Sequence, residues 1–298
     1  DGMANGNDGP FRDEGVLLTP EGEAVVEAGP LDADVIWRLD LKETPGIWTH
    51  DSAHVSVLLD GALLYLSPGN AVDKTHRRIR RPDAATLIAV DKATGRIVAR
   101  DAERIGPRIV HCQWSSPSLG EAGGRRLLIF AGADAVVYAF EPLAGLPPAG
   151  EPPSTFRRLW RHDLDPDTVK EGACEWNGRR EAGGPSTIIG MPVFAGGRVY
   201  TTVQGDRWWG KHEARLVCLD AADADGDGGG ARGWEYPLVR HCMSTPAVSG
   251  GLVFVADSGR TMHCVDAETG AGVWTHDLEG EVSGSPLVAD GKVFVGTQ

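Results

Sequence analysis

The side chains best suited to chemistry stand just ahead of short apolar runs. His50-Asp51-Ser52-Ala53-His54, His111-Cys112 and His241-Cys242-Met243 each precede such a run by a few residues. Neutral imidazole and thiolate suit zinc, copper or haem iron. His50, His54, His111, Cys112, His241 and Cys242 are therefore candidate metal ligands, provided the fold brings the three segments to one place. The spacing within each pair matches no metal signature, and the step to the next proline differs by one residue between His111–Pro117 and His241–Pro246. The competing reading is structural, with imidazoles hydrogen-bonded to neighbouring backbone.

Three other groupings carry chemical meaning. Asp223-Ala224-Asp225-Gly226-Asp227-Gly228 matches the opening of a calcium loop, with oxygen ligands at alternate positions. The glutamate due eleven places after Asp223 is replaced by Trp234, and Glu235 comes one place late, so a flexible acidic loop competes with calcium. Trp208 and Trp209 are adjacent and could stack on a sugar ring or anchor a partner protein, or tuck under their own loop. The run His76-Arg77-Arg78-Ile79-Arg80-Arg81 is either a solvated face or a docking patch for an acidic partner. No Gly-x-Ser-x-Gly elbow, Cys-x-x-Cys-His haem attachment or Gly-rich phosphate loop occurs, and no catalytic set can be assembled.

The elements that must position these residues are short hairpins, and they repeat. Leu87-Ile-Ala-Val-Asp91-Lys-Ala-Thr-Gly95 and His263-Cys-Val-Asp266-Ala-Glu-Thr-Gly270 are copies of one strand and turn. A closing strand recurs at Trp37, Trp160 and Trp274, with Trp234 as a variant. Upstream lies a second hairpin whose last turn glycine falls at 61, 124, 197, 251 and 291, with spacings of 63, 73, 54 and 40. Four strands per unit on a base period near 40 residues, lengthened by loop insertions, predicts an all-β fold. Its form is a β-propeller of four-stranded antiparallel blades, with four whole blades and partial blades visible. With 40 glycines and 19 prolines and no sustained 3.6 period, a helical fold is excluded. The turn chemistry predicts positive φ at Gly95 and Gly270, Asp266 accepting turn N–H groups, and Trp160 and Trp274 buried between blades.

The unit strand-Asp-x-x-Thr-Gly-x-x-x-Trp resembles the repeat of PQQ-like (pyrroloquinoline-quinone-type) propellers, a group that includes quinoprotein alcohol dehydrogenases and the propeller lipoprotein of outer-membrane barrel assembly. The resemblance spans nearly the whole chain. Asp1–Pro10 and His111–Gly120 are also similar to large secreted PQQ-like repeat proteins of planctomycete-type bacteria. It implies a periplasmic or extracellular place. The adjacent-cysteine pair typical of the dehydrogenases is absent, so the residues present do not support the quinone as a cofactor.

The net charge of −13 argues against nucleic-acid partners, and no apolar run approaches a membrane span. No signal peptide is visible in this chain. Five cysteines make an odd set; Cys218 and Cys264 hold the same strand position and read as small buried hydrophobes. Residues 1–298 read as one propeller domain cut at both ends, with the strand at Trp37 outermost in a preceding blade. A closed five-bladed ring, with that strand joining the C-terminal hairpin, is the alternative. The function expected is a non-catalytic scaffold or binding module of the cell envelope that engages a protein or envelope polymer through rim loops. The alternative is a redox enzyme with a quinone or a metal at the central channel, and calcium remains a candidate for the Asp223–Asp227 loop.

Overall fold

Glycine-closed hairpins build almost everything in the chain. The computed structural model describes residues 11, 13–32, 34–44, 46–50, 55–176, 183–206, 211–222, 226–227 and 232–298, with backbone alone at 17, 18, 226 and 227. The first blade is β1 (Leu58–Asp60), β2 (Leu63–Leu66), β3 (Ile88–Asp91) and β4 (Ile97–Arg100), antiparallel in that order. The second is β5 (Ser118–Ala122), β6 (Arg125–Ala131), β7 (Val136–Phe140) and, beyond the short β8 (Ser154–Thr155), β9 (Arg158–Asp163). In the third, β10 (Ser186–Thr187) and β11 (Val193–Ala195) both pair with β12 (Arg198–Gly205). It continues through β13 (Ala214–Asp220) and, past β14 (Gly226–Asp227), ends at β15 (Arg232–Leu238). The fourth is β16 (Ala247–Ser249), β17 (Leu252–Ala256), β18 (Thr261–Asp266) and β19 (Gly272–Asp277). β20 (Leu287–Ala289) and β21 (Lys292–Phe294) pair only with each other.

Four whole blades and a half blade match the expected repeat. The segment after Trp37 departs from it. Among the described residues it joins no sheet, although Trp37 and Leu39 still pack on Ile88, Val90 and Ile97 of the first blade.

The apolar cores lie between blades. Along β6, Leu127 and Ile129 face the third blade's Val199 and Val217, while Leu128 and Phe130 face the first blade's Tyr65 and Ala89. Side chains alternate across a strand, so a sheet buried on both faces needs an unbroken apolar run, and Leu127-Leu128-Ile129-Phe130 is one. Cys218 sits in the core between the third and fourth blades and Cys264 in the core beyond the fourth, both as buried free thiols.

Long connections between third and fourth strands do further work. The connection in the second blade sends β8 to lie parallel on β4, and that in the third sends β14 to lie parallel on β9. Each thus covers an outer edge that would otherwise present unpaired N–H and C=O groups.

The repeated turn has a clear physical basis. Asp266 Oδ1 accepts the N–H groups of Glu268 and Thr269 and the Thr269 hydroxyl, at 3.1, 2.8 and 2.8 Å. Gly95 and Gly270 hold φ of 74° and 73°, as expected. A tryptophan covers each glycine, Trp37 from the segment ahead of the first blade and Trp234 from the third blade, so closely that a Cβ at Gly95 would meet the Trp37 ring, and one at Gly270 the Trp234 ring, at 2.6 Å. The same indoles donate Nε1–H to the carbonyls of Lys92 and Ala267, at 2.7 and 3.2 Å. The tryptophan therefore serves the next blade's turn. Trp160 is fully buried, as expected, but Trp274 is 42 % exposed. The expectation for Trp274 fails: among the described residues no third-to-fourth-strand turn reaches its ring.

Candidate functional site

The lead-ins to the innermost strands converge. Ser56, Trp114 and Ser116, Ile189 to Met191, Met243 and Thr245, and Ser283 and Ser285 precede β1, β5, β11, β16 and β20 in turn, and together they line one axial cavity of about 690 Å³. Hydroxyls lace each lead-in to the next. Ser56 N–H donates to Ser116 Oγ (2.8 Å), Ser115 Oγ–H to the Gly190 carbonyl (3.1 Å), Met191 N–H to Thr245 Oγ1 (3.0 Å) and Thr245 N–H to Ser285 Oγ (2.9 Å). Pro117, Pro246 and Pro286 follow Ser116, Thr245 and Ser285 directly. A hydroxyl residue before the proline that opens three of these five hairpins was the available signal for this girdle, and sequence reasoning missed it.

A cluster of imidazoles stands beside this cavity. His50 leads toward β1, His76 lies in the β2–β3 connection, and His111 precedes β5. Their ring nitrogens lie within 4.8 Å of one another, and His50 Nε2 and His76 Nε2 are 2.6 Å apart. Ring centroids are separated by 4.4 Å (His50–His76), 5.0 Å (His76–His111) and 5.6 Å (His50–His111). His111 is buried, with Nδ1 at 3.3 Å from Oδ2 of buried Asp206, which follows β12 of the third blade. The edge of His111 meets the Trp114 ring at 5.1 Å, so Trp114 joins the cluster to the cavity wall. His76 holds φ of 59°, uncommon outside glycine, within a turn built on Asp73, whose carbonyl accepts His76 N–H at 2.9 Å.

The sequence candidates thus divide. His50 and His111 come together, joined by His76 from the basic run. The Cys112 thiol donates to the His50 carbonyl at 3.6 Å. His241 faces His212 at 5.5 Å, with Nε2 at 3.2 Å from the Lys211 carbonyl. Cys242 is fully buried, its thiol directed to the Ala256 carbonyl at 3.3 Å. Burial pushes its pKa up to about 12, which keeps it a thiol and a poor metal ligand at neutral pH. His54, Trp208, Trp209, Asp223 and Asp225 lie outside the described residues; Asp227 belongs to β14, paired with Arg161. Arg77, Arg78, Arg80 and Arg81 are exposed, and Arg80 stacks over Trp48 at 3.9 Å.

A second cavity, of about 490 Å³, is walled by Arg108, Tyr138, Asp163 and Lys170. Two of its cations already have acidic partners. Arg108 Nε meets Asp134 at 2.8 Å and Lys170 Nζ meets Asp163 at 2.8 Å.

Residues 224–298 match the family described as outer membrane protein assembly factor BamB. The fold is also that of the quinohemoprotein alcohol dehydrogenase of Comamonas testosteroni, at 14 % identity and a TM-score of 0.54, over 80 % of this chain and 43 % of that one. The chain carries PQQ-like propeller repeats. BamB from Moraxella catarrhalis aligns at 12 % identity and a TM-score of 0.38, over 81 % of this chain and 66 % of that one. The chain spans less than two thirds of either structure's length. No curated protein matches it. Among the described residues, no helix is long and apolar enough to cross a membrane.

The dehydrogenase likeness raises the question of the quinone itself. Pyrroloquinoline quinone is a tricarboxylate, whereas the described wall of the axial cavity is made of Ser, Thr, Met, Ile, Gly and Trp. That wall offers no guanidinium or ammonium to a carboxylate, so the residues do not fit the group.

Proposed function

We propose that the chain is a non-catalytic propeller module of the cell envelope, periplasmic or extracellular, that binds an extended segment of a partner protein at the mouth of its axial cavity. One observation carries this reading. Four blades and the half blade contribute a neutral wall of hydroxyls, backbone amides, two methionines and a tryptophan to a cavity of about 690 Å³. Such a wall can hydrogen-bond a peptide backbone and cover apolar side chains, yet it holds no acid–base pair. The BamB-family match over 224–298 supports an envelope setting and protein partners. The net charge of −13 opposes nucleic acid as the alternative polymer.

Capture from envelope extract, followed by identification of the bound partner, tests the proposal. Trp114→Ala and Met243→Ala are expected to reduce capture while the protein stays folded. Capture of a glycan polymer in place of protein would replace the partner class. Turnover of an alcohol or aldehyde with added quinone would overturn the scaffold reading in favour of a redox enzyme.

A further inference from the structure

We propose that His50, His76 and His111 form a site for one divalent transition-metal ion, an inter-blade staple at the edge of the axial cavity. Three imidazoles from three separate segments reach one point, with ligand nitrogens within 4.8 Å of one another. His50 and His76 come from the first blade's lead-in and β2–β3 connection, and His111 from the lead-in to the second blade. Two nitrogens on a tetrahedral zinc, each at about 2.0–2.1 Å from the ion, stand about 3.3 Å apart. The His50–His76 pair at 2.6 Å would open by well under 1 Å to admit the ion. His76 can make that shift, because it is half-buried in a surface connection.

The third ligand is held more firmly. Asp206 Oδ2 lies 3.3 Å from His111 Nδ1; in the tautomer whose Nδ1–H donates to that carboxylate, Nε2 keeps its lone pair for the ion. A carboxylate behind a histidine fixes the tautomer and ring orientation that a metal requires and raises the basicity of the ligand nitrogen. Because Asp206 belongs to the third blade, an ion at this point would tie three consecutive blades. Neutral imidazole donors select zinc, copper or nickel over calcium and magnesium, and three nitrogens leave a fourth position to solvent or a ligand. Lys74, Arg77 and Arg78, the nearest cations in sequence to His76, are exposed to solvent.

The experiment uses the full chain, stripped with chelator and then dialysed against Zn²⁺ or Co²⁺ alone. We expect one equivalent of zinc by elemental analysis, visible ligand-field absorption from the cobalt form, and a melting temperature that rises with zinc concentration. His76→Ala and His111→Ala should each weaken zinc binding about 100-fold or more, and Asp206→Asn about 10- to 100-fold. His212→Ala, beside His241, should leave it unchanged. Should His111→Ala fail to fold, the half-buried His76→Gln keeps the test intact, with circular dichroism as the check. Failure of the wild-type chain to retain zinc overturns the proposal. So does stoichiometric zinc in the His76→Ala, His111→Ala double variant. Partner capture by metal-free protein is read separately and bears only on the scaffold.

Discussion

The second and fourth blades carry the same closing tryptophan and treat it in opposite ways. Trp160 is fully buried on β9, under a third blade that contributes Val217, Leu219 and the added strand β14. Trp274 on β19 is 42 % exposed, its ring 6.0 Å from that of Phe254. The closing strands, Trp160-Arg-His-Asp163 and Trp274-Thr-His-Asp277, are alike in sequence, so the difference lies outside them. A blade's fourth strand becomes stable through its successor.

The largest effect that could break this comparison is at Trp160. Trp160→Ala should cost about 3–5 kcal/mol in a denaturant titration, the range for deleting a buried aromatic. A loss no greater than that of a surface substitution would show that the inter-blade core closes without it. Next comes the turn that a tryptophan covers. Gly270→Ala places a Cβ 2.6 Å from the Trp234 ring at a φ of 73° and should cost about 2 kcal/mol or more. Adding Trp234→Ala should recover part of that loss, and strict additivity of the two changes would deny the contact.

Acid sharpens the picture within the fourth blade. Burial alone would raise the Asp257 carboxyl, but the hydrogen bond from His263 (3.0 Å) and those from the N–H groups of Arg240 and Val239 outweigh it and hold the pKa below its ordinary value. The unfolded chain therefore binds the more protons, and this contribution is complete above the unfolded pKa of about 3.9 and lost as pH falls through the lower folded value. Melting temperature should drop in that window, and Asp257→Asn should flatten the drop; an unchanged slope would remove Asp257 from the account. The smallest effect is expected at Trp274. Trp274→Ala in this chain should shift stability by less than about 1 kcal/mol, since its outer face has no covering turn.

Hairpins, turns and blade count were legible because they are local. Asp266, Thr269 and Gly270 write their turn within five residues, and the alternating apolar runs declare both buried faces. Burial of Trp274 was misjudged because it depends on residues a blade away. The histidine cluster was half legible for the same reason. His50 and His111 stand at matching places before a first strand, but His76 arrives from a connection whose path no periodicity describes. The serines and threonines of the girdle drew no notice because hydroxyls are common in turns; only their recurrence before proline sets them apart.

Because Trp37 and Trp234 lean on the turn of the blade that follows, the order of synthesis acquires a cost in time. At a synthesis rate of about 5–20 residues per second, a bare unit of 40 residues takes about 2–8 s to emerge. For that interval the newest blade holds an uncovered indole and an open strand edge. The outer edges of the first two blades also await β8 and β14, which arrive only with the third-to-fourth-strand connection of the blade that follows. Assembly of the blades is thereby directional, each completed by the one made after it, and a pause in translation between blades would prolong the exposure of the surface most prone to pair with the wrong chain.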